Sequence, residues 1–261
     1  MPTATEHYQA GDLTAAVAAA VEAVKAAPAD RAKRWLLAEL LAIAGDTERA
    51  DKHFDFLMSG LDKPDLSAVL ARQLLRAETA RREVFNLGRV PEFLTPPPDH
   101  VKLALQAVVC LREGKAEDAV AKLAEAEAVR PVVSGTWNGT PFNGLRDLDD
   151  VTAGVFEVFT SNGNYYWVPF EAVEEMECRA PERAKDLLWR SCRLQVKDGP
   201  DGEVYLPAVY AGTHATSDDK LKLGRESSYT ATTPVRGTGL RELLVGEDVK
   251  TLLEVQAIVT G

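Results

Sequence analysis

The sequence predicts an α+β fold, with all-α helical repeats over residues 1–133 followed by a mostly antiparallel β domain with one or two helices over residues 134–261. Three observations support this division. Alanine and helical periodicity dominate before residue 133, whereas most aromatic residues and glycines follow it. A glycine-led pattern recurs in the first half. In the second half, an Asn-Gly dipeptide lies between two runs of β-prone residues.

The repeated pattern begins at Gly11, Gly45 and Gly114. Each glycine is followed by alanine at +5 and by small or apolar residues at +9 and +12, and the spacings of 34 and 69 residues approximate one and two periods of 34. That period is typical of tetratricopeptide (TPR) repeats. Glycine lets the first helix of a pair end and turn, and the alanine permits close helix approach. We therefore predict TPR-like helix pairs, with a generic alanine-rich bundle as the alternative.

The unit between Gly45 and Gly114 departs from this pattern. Residues 65–88 indicate one long helix instead of a pair. Its apolar face contains Leu66, Leu70, Leu74, Ala77 and Val84. Three prolines at residues 96–98 then interrupt the chain, and Asp99 is placed to cap the next helix. The first half therefore predicts six or seven helices.

The first element of the second half is a β-hairpin. Residues 155–159 and 165–168 are β-prone and flank Asn162-Gly163, the strongest short hairpin signal. With these two as the turn residues, we expect Phe159 to face Tyr166 and Val158 to face Trp167.

Further elements follow this hairpin. Pro181 predicts the start of a helix that runs through Trp189. A second hairpin is predicted from residues 193–196 and 204–206, and a short helix at residues 220–222 is expected to be capped by Asp218-Asp219. Residues 240–245 and 252–259 indicate two more strands.

Composition excludes several classes of protein. Hydrophobic residues make up 46% and charged residues 27%, the balance of a soluble globular protein. The net charge of −10, with −3 before residue 134 and −7 after it, disfavours binding to nucleic acid or to anionic membranes. We expect no export signal and no membrane span, three reduced cysteines (Cys110, Cys178 and Cys192) and a cytoplasmic location.

No catalytic, nucleotide-binding or metal-binding motif is present, so we expect no cofactor and no enzymatic activity. The strongest candidate for chemistry is Arg146, Asp147, Asp149 and Asp150, whose carboxylates could bind a cation or polarise water. The alternative is a turn in which the aspartates cap backbone N–H groups.

One basic stretch carries Arg72, Arg76, Arg81, Arg82 and Arg89. It is expected to be a solvated helix face, with a surface for an acidic partner as the alternative.

Three consecutive aromatic residues, Tyr165, Tyr166 and Trp167, cannot all face one core. They are candidates for a partner-binding surface beside the helical repeats. A contact between the two halves of the chain is the alternative.

A series of blocks in the second half resembles a known family. They are FNGLRDLDD (142–150), VFEV (155–158), YYWVP (165–169), RAKDLLWR (183–190), VYLP (204–207), LKLGR (221–225) and GLRELLVG (239–246). Together with the helical repeats, they resemble the ImpE/SciE-type (TagJ) accessory proteins of bacterial type VI secretion.

The resemblance implies a cytoplasmic, non-enzymatic adaptor protein. Members of this family contact a helix of the small subunit of the contractile sheath and are linked to the AAA+ unfoldase that recycles the sheath. We expect a partner helix to dock on the helical repeats or at the junction of the halves. The main competing hypothesis is an enzyme or ligand-binding module that uses the acidic cluster, and a generic scaffold in another pathway is the third.

Overall fold

A computed structural model describes residues 2–59, 63 and 65–261 of the chain. Within these residues, seven α-helices precede residue 134: α1 (Ala4–Ala10), α2 (Leu13–Ala26), α3 (Arg31–Ala44), α4 (Thr47–Met58), α5 (Leu66–Leu87), α6 (Asp99–Arg112) and α7 (Ala116–Val129). Over the same described ranges, none of the helices is long and apolar enough to cross a membrane.

The three aligned glycines mark three turns between packed helices. Gly11, Gly45 and Gly114 lie between α1 and α2, α3 and α4, and α6 and α7, and all three have positive φ angles of 75–88°. Glycine adopts this left-handed conformation without the steric cost that a Cβ would add. The alanines at +5 are fully buried: Ala16, Ala50 and Ala119. The predicted reason for the pattern, a turn followed by close helix contact, is confirmed.

The long helix predicted in the middle of this half is also confirmed. Helix α5 has 22 residues and is capped by Asp65, whose carboxylate accepts from the backbone N–H groups of Ser67 and Ala68. Leu66 is exposed, although it was assigned to the apolar face. Asp99 is the first residue of α6 and not its cap, because Pro98 takes the capping position without a side-chain hydrogen bond.

The second half is built from antiparallel strands, with one short helix, α8 (Asp219–Lys222), capped by Asp218 as predicted. The strands are β1 (Ser134–Trp137), β2 (Thr140–Asn143), β3 (Leu145–Asp147), β4 (Val155–Thr160), β5 (Tyr165–Pro169), β6 (Val173–Cys178), β7 (Trp189–Val196), β8 (Asp201–Pro207), β9 (Ser227–Tyr229), β10 (Gly237–Gly239), β11 (Glu242–Val245), β12 (Asp248–Thr251) and β13 (Ala257–Thr260). The main sheet has the order β2-β1-β13-β6-β7-β8-β4-β5, and a smaller sheet has the order β12-β11-β3.

The two faces of the main sheet contribute to different cores. Phe156 and Val158 of β4 belong to a core shared with β7, β8, β11 and β13. Phe159 of β4, together with Tyr165 and Trp167 of β5, belongs to the core of the helices. The predicted α+β fold is therefore confirmed, and the helices share one continuous core with the sheet. That residues 1–133 and 134–261 are separate domains stays a prediction.

The hairpin of β4 and β5 has a three-residue loop instead of the predicted two-residue turn. The backbone N–H of Thr160 donates to the carbonyl of Asn164 (3.1 Å), and the N–H of Asn164 donates to the Thr160 hydroxyl (3.1 Å). Gly163 has φ of +88° and is the last loop residue, the position at which a three-residue loop requires a left-handed residue.

This loop shifts the strand register by one residue from the prediction. The observed pairs are Phe159 with Tyr165, Val158 with Tyr166 and Glu157 with Trp167. Directly opposed residues of an antiparallel pair lie on the same face. The shift therefore places the carboxylate of Glu157 beside Trp167, on the face that meets the helices.

Two further predictions in the second half need correction. The helix expected from Pro181 through Trp189 is a short 3-10 segment, Ala184–Leu187, and Trp189 begins β7. The hairpin partner of β11 is β12, whereas residues 252–254 form a 3-10 turn before β13. The predicted hairpin of residues 193–196 and 204–206 is confirmed as the pair β7 and β8.

The prediction of three reduced thiols is wrong for two of them. Cys178 on β6 lies directly opposite Cys192 on β7, and the two form a disulfide with Cα atoms 4.0 Å apart. Cys110 is a free, half-buried thiol. The pairing was missed because it depends on the register between two strands, which the spacing of the cysteines in the sequence does not reveal.

Candidate functional site

A buried network of charges joins the helices to the sheet. Glu157 of β4 lies between two arginines, Arg81 of α5 and Arg241 of the segment before β11. Arg81 Nε donates to Glu157 Oε1 (2.8 Å) and Arg81 Nη2 to Oε2 (2.6 Å), while Arg241 donates to the same Oε2. The Tyr165 hydroxyl also donates to Oε1. All of these side chains are at least 98% buried.

The charge of Glu157 is stabilised by its two arginines. Burial by itself raises the pKa of this carboxyl, but the guanidinium groups of Arg81 and Arg241 outweigh burial and bring the pKa to about 2. Arg81 Nη2 also donates to the carbonyl of Val209 (2.9 Å), which follows β8. The network therefore fixes α5 against the sheet by charged hydrogen bonds as well as by apolar packing.

The predicted acidic cluster is divided among partners from the same chain. Asp147 is fully buried, and its Oδ2 lies 3.1 Å from Arg241 Nη1 without hydrogen-bonding geometry. Asp149 accepts from Arg236 Nε (2.9 Å) and from the N–H of Gly237 (3.0 Å).

The remaining two members of the cluster bond to each other. Arg146 Nη2 donates to Asp150 Oδ1 (2.6 Å), and Asp150 Oδ2 accepts from the backbone N–H of Val235 (2.6 Å). The carboxylates thus serve as backbone and arginine acceptors. Across the ranges that the structure describes, the acidic, histidine and cysteine side chains form no group that could hold a metal ion.

Asp147 differs from its neighbours in its electrostatics. Burial raises the pKa of Asp147 to about 7, and the positive charge of Arg241 only partly opposes this rise. Its Oδ1 accepts from the N–H of Asp149 (2.8 Å). Asp147 is therefore part of the junction network and is connected to Glu157 through Arg241.

The basic stretch is not a uniformly solvated face. Arg81 is 1% exposed, which contradicts the prediction for this residue. Arg72 pairs with Asp51 and Asp55, Arg82 with Glu78, and Arg89 with Glu83, and Arg76 is exposed. Intramolecular ion pairs therefore occupy most of the cations proposed for an acidic partner.

The three consecutive aromatic residues split between the two faces of the sheet. Tyr165 and Trp167 are buried against the helices, with the ring of Trp167 6.2 Å from that of Phe85 of α5. Their role fits the alternative of a contact between the two halves. Tyr166 is half-buried on the other face and lines an apolar pocket of about 240 Å³.

A larger groove lies where the first helices meet the 3-10 segment of the second half. Its volume is about 560 Å³. We call it the junction groove; it is lined by Thr5, Tyr8, Arg31, Ala32, Trp35, Leu36, Glu39, Leu57, Asp65, Ser67, Arg183 and Ala184. Apolar and aromatic side chains form much of this lining, and the volume lies within the range of ligand pockets, about 300–1,000 Å³.

Contacts from the second half hold the wall of this groove. Arg225 donates to the carbonyls of Tyr8 (2.6 Å) and Gln9 (3.0 Å) at the end of α1. Asp219 at the start of α8 accepts from the N–H of Thr14 (2.8 Å) in α2. The Arg183 guanidinium lies 5.9 Å from the centre of the Trp35 ring. The groove is therefore shaped jointly by both halves of the chain.

Glu39 is the acidic residue most deeply placed in the groove. It is 6% exposed, and Trp35 Nε1 donates to its Oε1 (2.8 Å). Burial raises the pKa of Glu39, opposed by this hydrogen bond and by the charges of Lys185 and Arg183.

The sequence analysis did not identify Glu39, Glu157 and Arg241 as site residues. The sequence contains a signal for Glu39 and another for Arg81, the partner of Glu157. Arg81 follows Leu74 and Ala77 and precedes Val84 at helical spacing, so it lies in phase with the buried stripe. Glu39 is the single charge within the apolar run of residues 35–44. An isolated charge at a core position predicts a buried partner or an interaction site.

Comparison with known proteins gives the family. The profile of the ImpE protein family matches residues 139–259. The type VI secretion system accessory component TagJ of Pseudomonas aeruginosa is 33% identical over 227 residues, covering 87% of this chain and 80% of that protein. The crystal structure of protein VPA1032 from Vibrio parahaemolyticus superimposes with a TM-score of 0.91 at 26% identity, covering 99% of this chain and 97% of that one. With this identity and coverage, the chain belongs to the TagJ/ImpE family of type VI secretion accessory components.

Proposed function

We propose that this protein is a non-enzymatic, cytoplasmic adaptor of type VI secretion that binds a helix of the small subunit of the contractile sheath. In this role it links the sheath to the AAA+ unfoldase that recycles it. The identity to TagJ over most of the chain is the observation that carries the proposal. The proposed activity requires no cofactor and no nucleic acid or membrane partner.

The junction groove is our proposed docking site for the partner helix. Trp35 and Leu36 of α3, Tyr8 of α1 and Leu57 of α4 offer apolar contact area. A helix that binds a groove does so through apolar residues three or four positions apart. Aromatic side chains such as Trp35 and Tyr8 are common anchors of binding energy in protein interfaces.

A steric block of the groove tests this proposal. Ala32 lines the groove and is exposed, so Ala32→Arg should fold normally and fill the site. Ala121→Arg is the matched control, because Ala121 is an exposed alanine of α7 outside the groove. The measurement is the affinity of the purified chain for the purified small sheath subunit by isothermal titration calorimetry.

We expect the wild type and Ala121→Arg to bind the subunit with the same affinity. Ala32→Arg should weaken binding at least about tenfold, which corresponds to about 1.4 kcal/mol. Failure of the folded wild type to bind the sheath subunit would contradict the proposed function. Equal binding by all three proteins would leave the function standing and place the docking surface elsewhere.

A further inference from the structure

Glu39 lies in the junction groove without an opposite charge in contact with it. Within residues 2–59, 63 and 65–261, its carboxylate accepts a single side-chain hydrogen bond, from Trp35, and lies within 4.0 Å of no lysine or arginine nitrogen. Burial raises the pKa of Glu39, because removing the charged carboxylate from water costs free energy. The positive charges of Lys185 and Arg183 oppose this rise, but neither forms an ion pair with Glu39 among the described residues.

The nearest cations are engaged with other groups. Lys185 Nζ pairs with Asp186 Oδ1 at 3.3 Å. Arg183 lies over the ring of Trp35 at the edge of the groove. Arg31 donates to the carbonyl of Leu57, and its Nη2 lies 3.9 Å from Asp65 Oδ2. The edge of the groove is thus basic at Arg183, whereas its most buried charge is negative.

We propose that Glu39 determines the specificity of the junction groove by pairing with a lysine or arginine of the partner. The partner segment would be an amphipathic helix that carries one cation within its apolar face and an acidic residue at the flank facing Arg183. The inference rests on the proposed function and adds the chemistry by which the partner is recognised. A charge that pairs in a desolvated site discriminates strongly against partners that lack the opposite charge.

The charge pattern also explains why an acid is placed here. A neutral residue would bind an apolar helix at no desolvation cost, and Trp35 could donate to glutamine as well as to glutamate. Retaining the carboxylate costs stability in the unbound chain. A cation of the partner offsets that cost only when it docks, so this contact would favour one partner helix over other apolar helices.

The test uses overlapping synthetic peptides that cover the small sheath subunit, titrated into the full chain by fluorescence anisotropy. Glu39→Gln removes the charge and keeps the acceptor for Trp35 Nε1. Glu22→Gln is the matched control, because Glu22 is an exposed residue of α2 that pairs with Lys25. In the peptide that binds, each lysine or arginine is replaced in turn by methionine.

We expect Glu39→Gln to weaken binding by about 30-fold or more, as for truncation of one member of a buried charge pair. One peptide substitution should cause a similar loss, and the two losses combined should be no larger than either alone. Glu22→Gln should bind like the wild type. The thermal midpoint of Glu39→Gln, at or above that of the wild type, shows that the variant is folded.

Several outcomes would overturn the inference. One is a difference of no more than about twofold in affinity between Glu39→Gln and the wild type, which is under about 0.5 kcal/mol. Another is a bound peptide in which no replacement of a lysine or arginine weakens binding. If no sheath peptide and no intact sheath subunit binds the wild type, the proposed function and this inference fail together; if Ala32→Arg abolishes binding but Glu39→Gln does not, only the role of Glu39 fails.

Discussion

Replacing Glu157 with glutamine should be among the most destabilising single changes of side-chain charge in this protein. The substitution keeps the size of the side chain but leaves Arg81 and Arg241 buried without the carboxylate that both contact. Breaking a buried ion pair by removing one partner costs about 3–5 kcal/mol. The cost is large because the remaining charges cannot reach water.

The pKa of Glu157 gives a second value for its contribution to the free energy of unfolding. The folded pKa of about 2 lies below the ordinary value of 4.5. Each pKa unit corresponds to about 1.4 kcal/mol, so ionised Glu157 contributes about 3 kcal/mol to the free energy of unfolding at neutral pH. That contribution is present above pH 4.5 and is lost as the pH falls from 4.5 towards 2.

Urea unfolding followed by tryptophan fluorescence measures this effect, because Trp167 is buried and donates to the Tyr165 hydroxyl at 2.5 Å. Glu157→Gln should lower the free energy of unfolding at pH 7 by about 3–5 kcal/mol. It should also remove the contribution of Glu157 to the loss of stability that we expect of the wild type between pH 4.5 and pH 2.

Glu177→Gln is the control for this experiment, since Glu177 is exposed on β6 of the same sheet. Its free energy of unfolding should stay within about 0.5 kcal/mol of the wild type. A loss below about 1 kcal/mol for Glu157→Gln, in the range of an exposed pair, would refute the conclusion that this network holds the helices on the sheet.

Three further predictions concern other buried groups. The folded state holds a proton on Asp147 up to a pKa of about 7, whereas the unfolded state releases it near 3.8, so we expect the free energy of unfolding to fall as pH rises from about 4 to 7. Asp147→Asn should flatten this fall; urea unfolding across the pH range measures the slope, and an unchanged slope would contradict the prediction. Glu39→Gln should raise the thermal midpoint of the unbound chain at pH 8, since it removes a desolvated charge, and a lower midpoint in calorimetry would count against this. Because Cys178 and Cys192 form a disulfide, denatured protein that was purified in air should react with maleimide only at Cys110, and at all three cysteines after reduction. Mass spectrometry counts the labels, and three labels before reduction would show that the disulfide is absent.

Local signals in the sequence predicted most elements of the fold. The glycine at each helix turn, the aspartate that caps α8 and the β-prone runs of β4 and β5 act within a few residues, so their physical causes are visible in the sequence. The helix expected after Pro181 was wrong because a favourable first residue does not determine whether the next ten residues bury a helical face or a strand. Residues 189–196 alternate between the two faces of the sheet, and that burial decided the outcome.

The candidate site was less predictable because it depends on contacts between distant residues. Arg81 and Glu157 are 76 positions apart, and no local pattern pairs them. The carboxylates of the acidic cluster are adjacent in sequence, but their partners are distant: Asp149 and Asp150 accept from residues 235–237, and Asp147 lies beside Arg241. The position of Glu39 in a groove cannot be predicted locally, because the groove forms only where Trp35, Leu57 and Arg183 come together in the fold.

Amide hydrogen exchange of the full chain, with and without the small sheath subunit, tests the central claim most directly. Docking in the junction groove predicts slower exchange in α3, in the end of α4 near Leu57, and in the 3-10 segment Ala184–Leu187. Helix α7, which contributes no residue to the groove, should exchange at the same rate in both samples. Protection confined to α7 or to β6, or no protection at saturating concentrations of the subunit, would contradict the account.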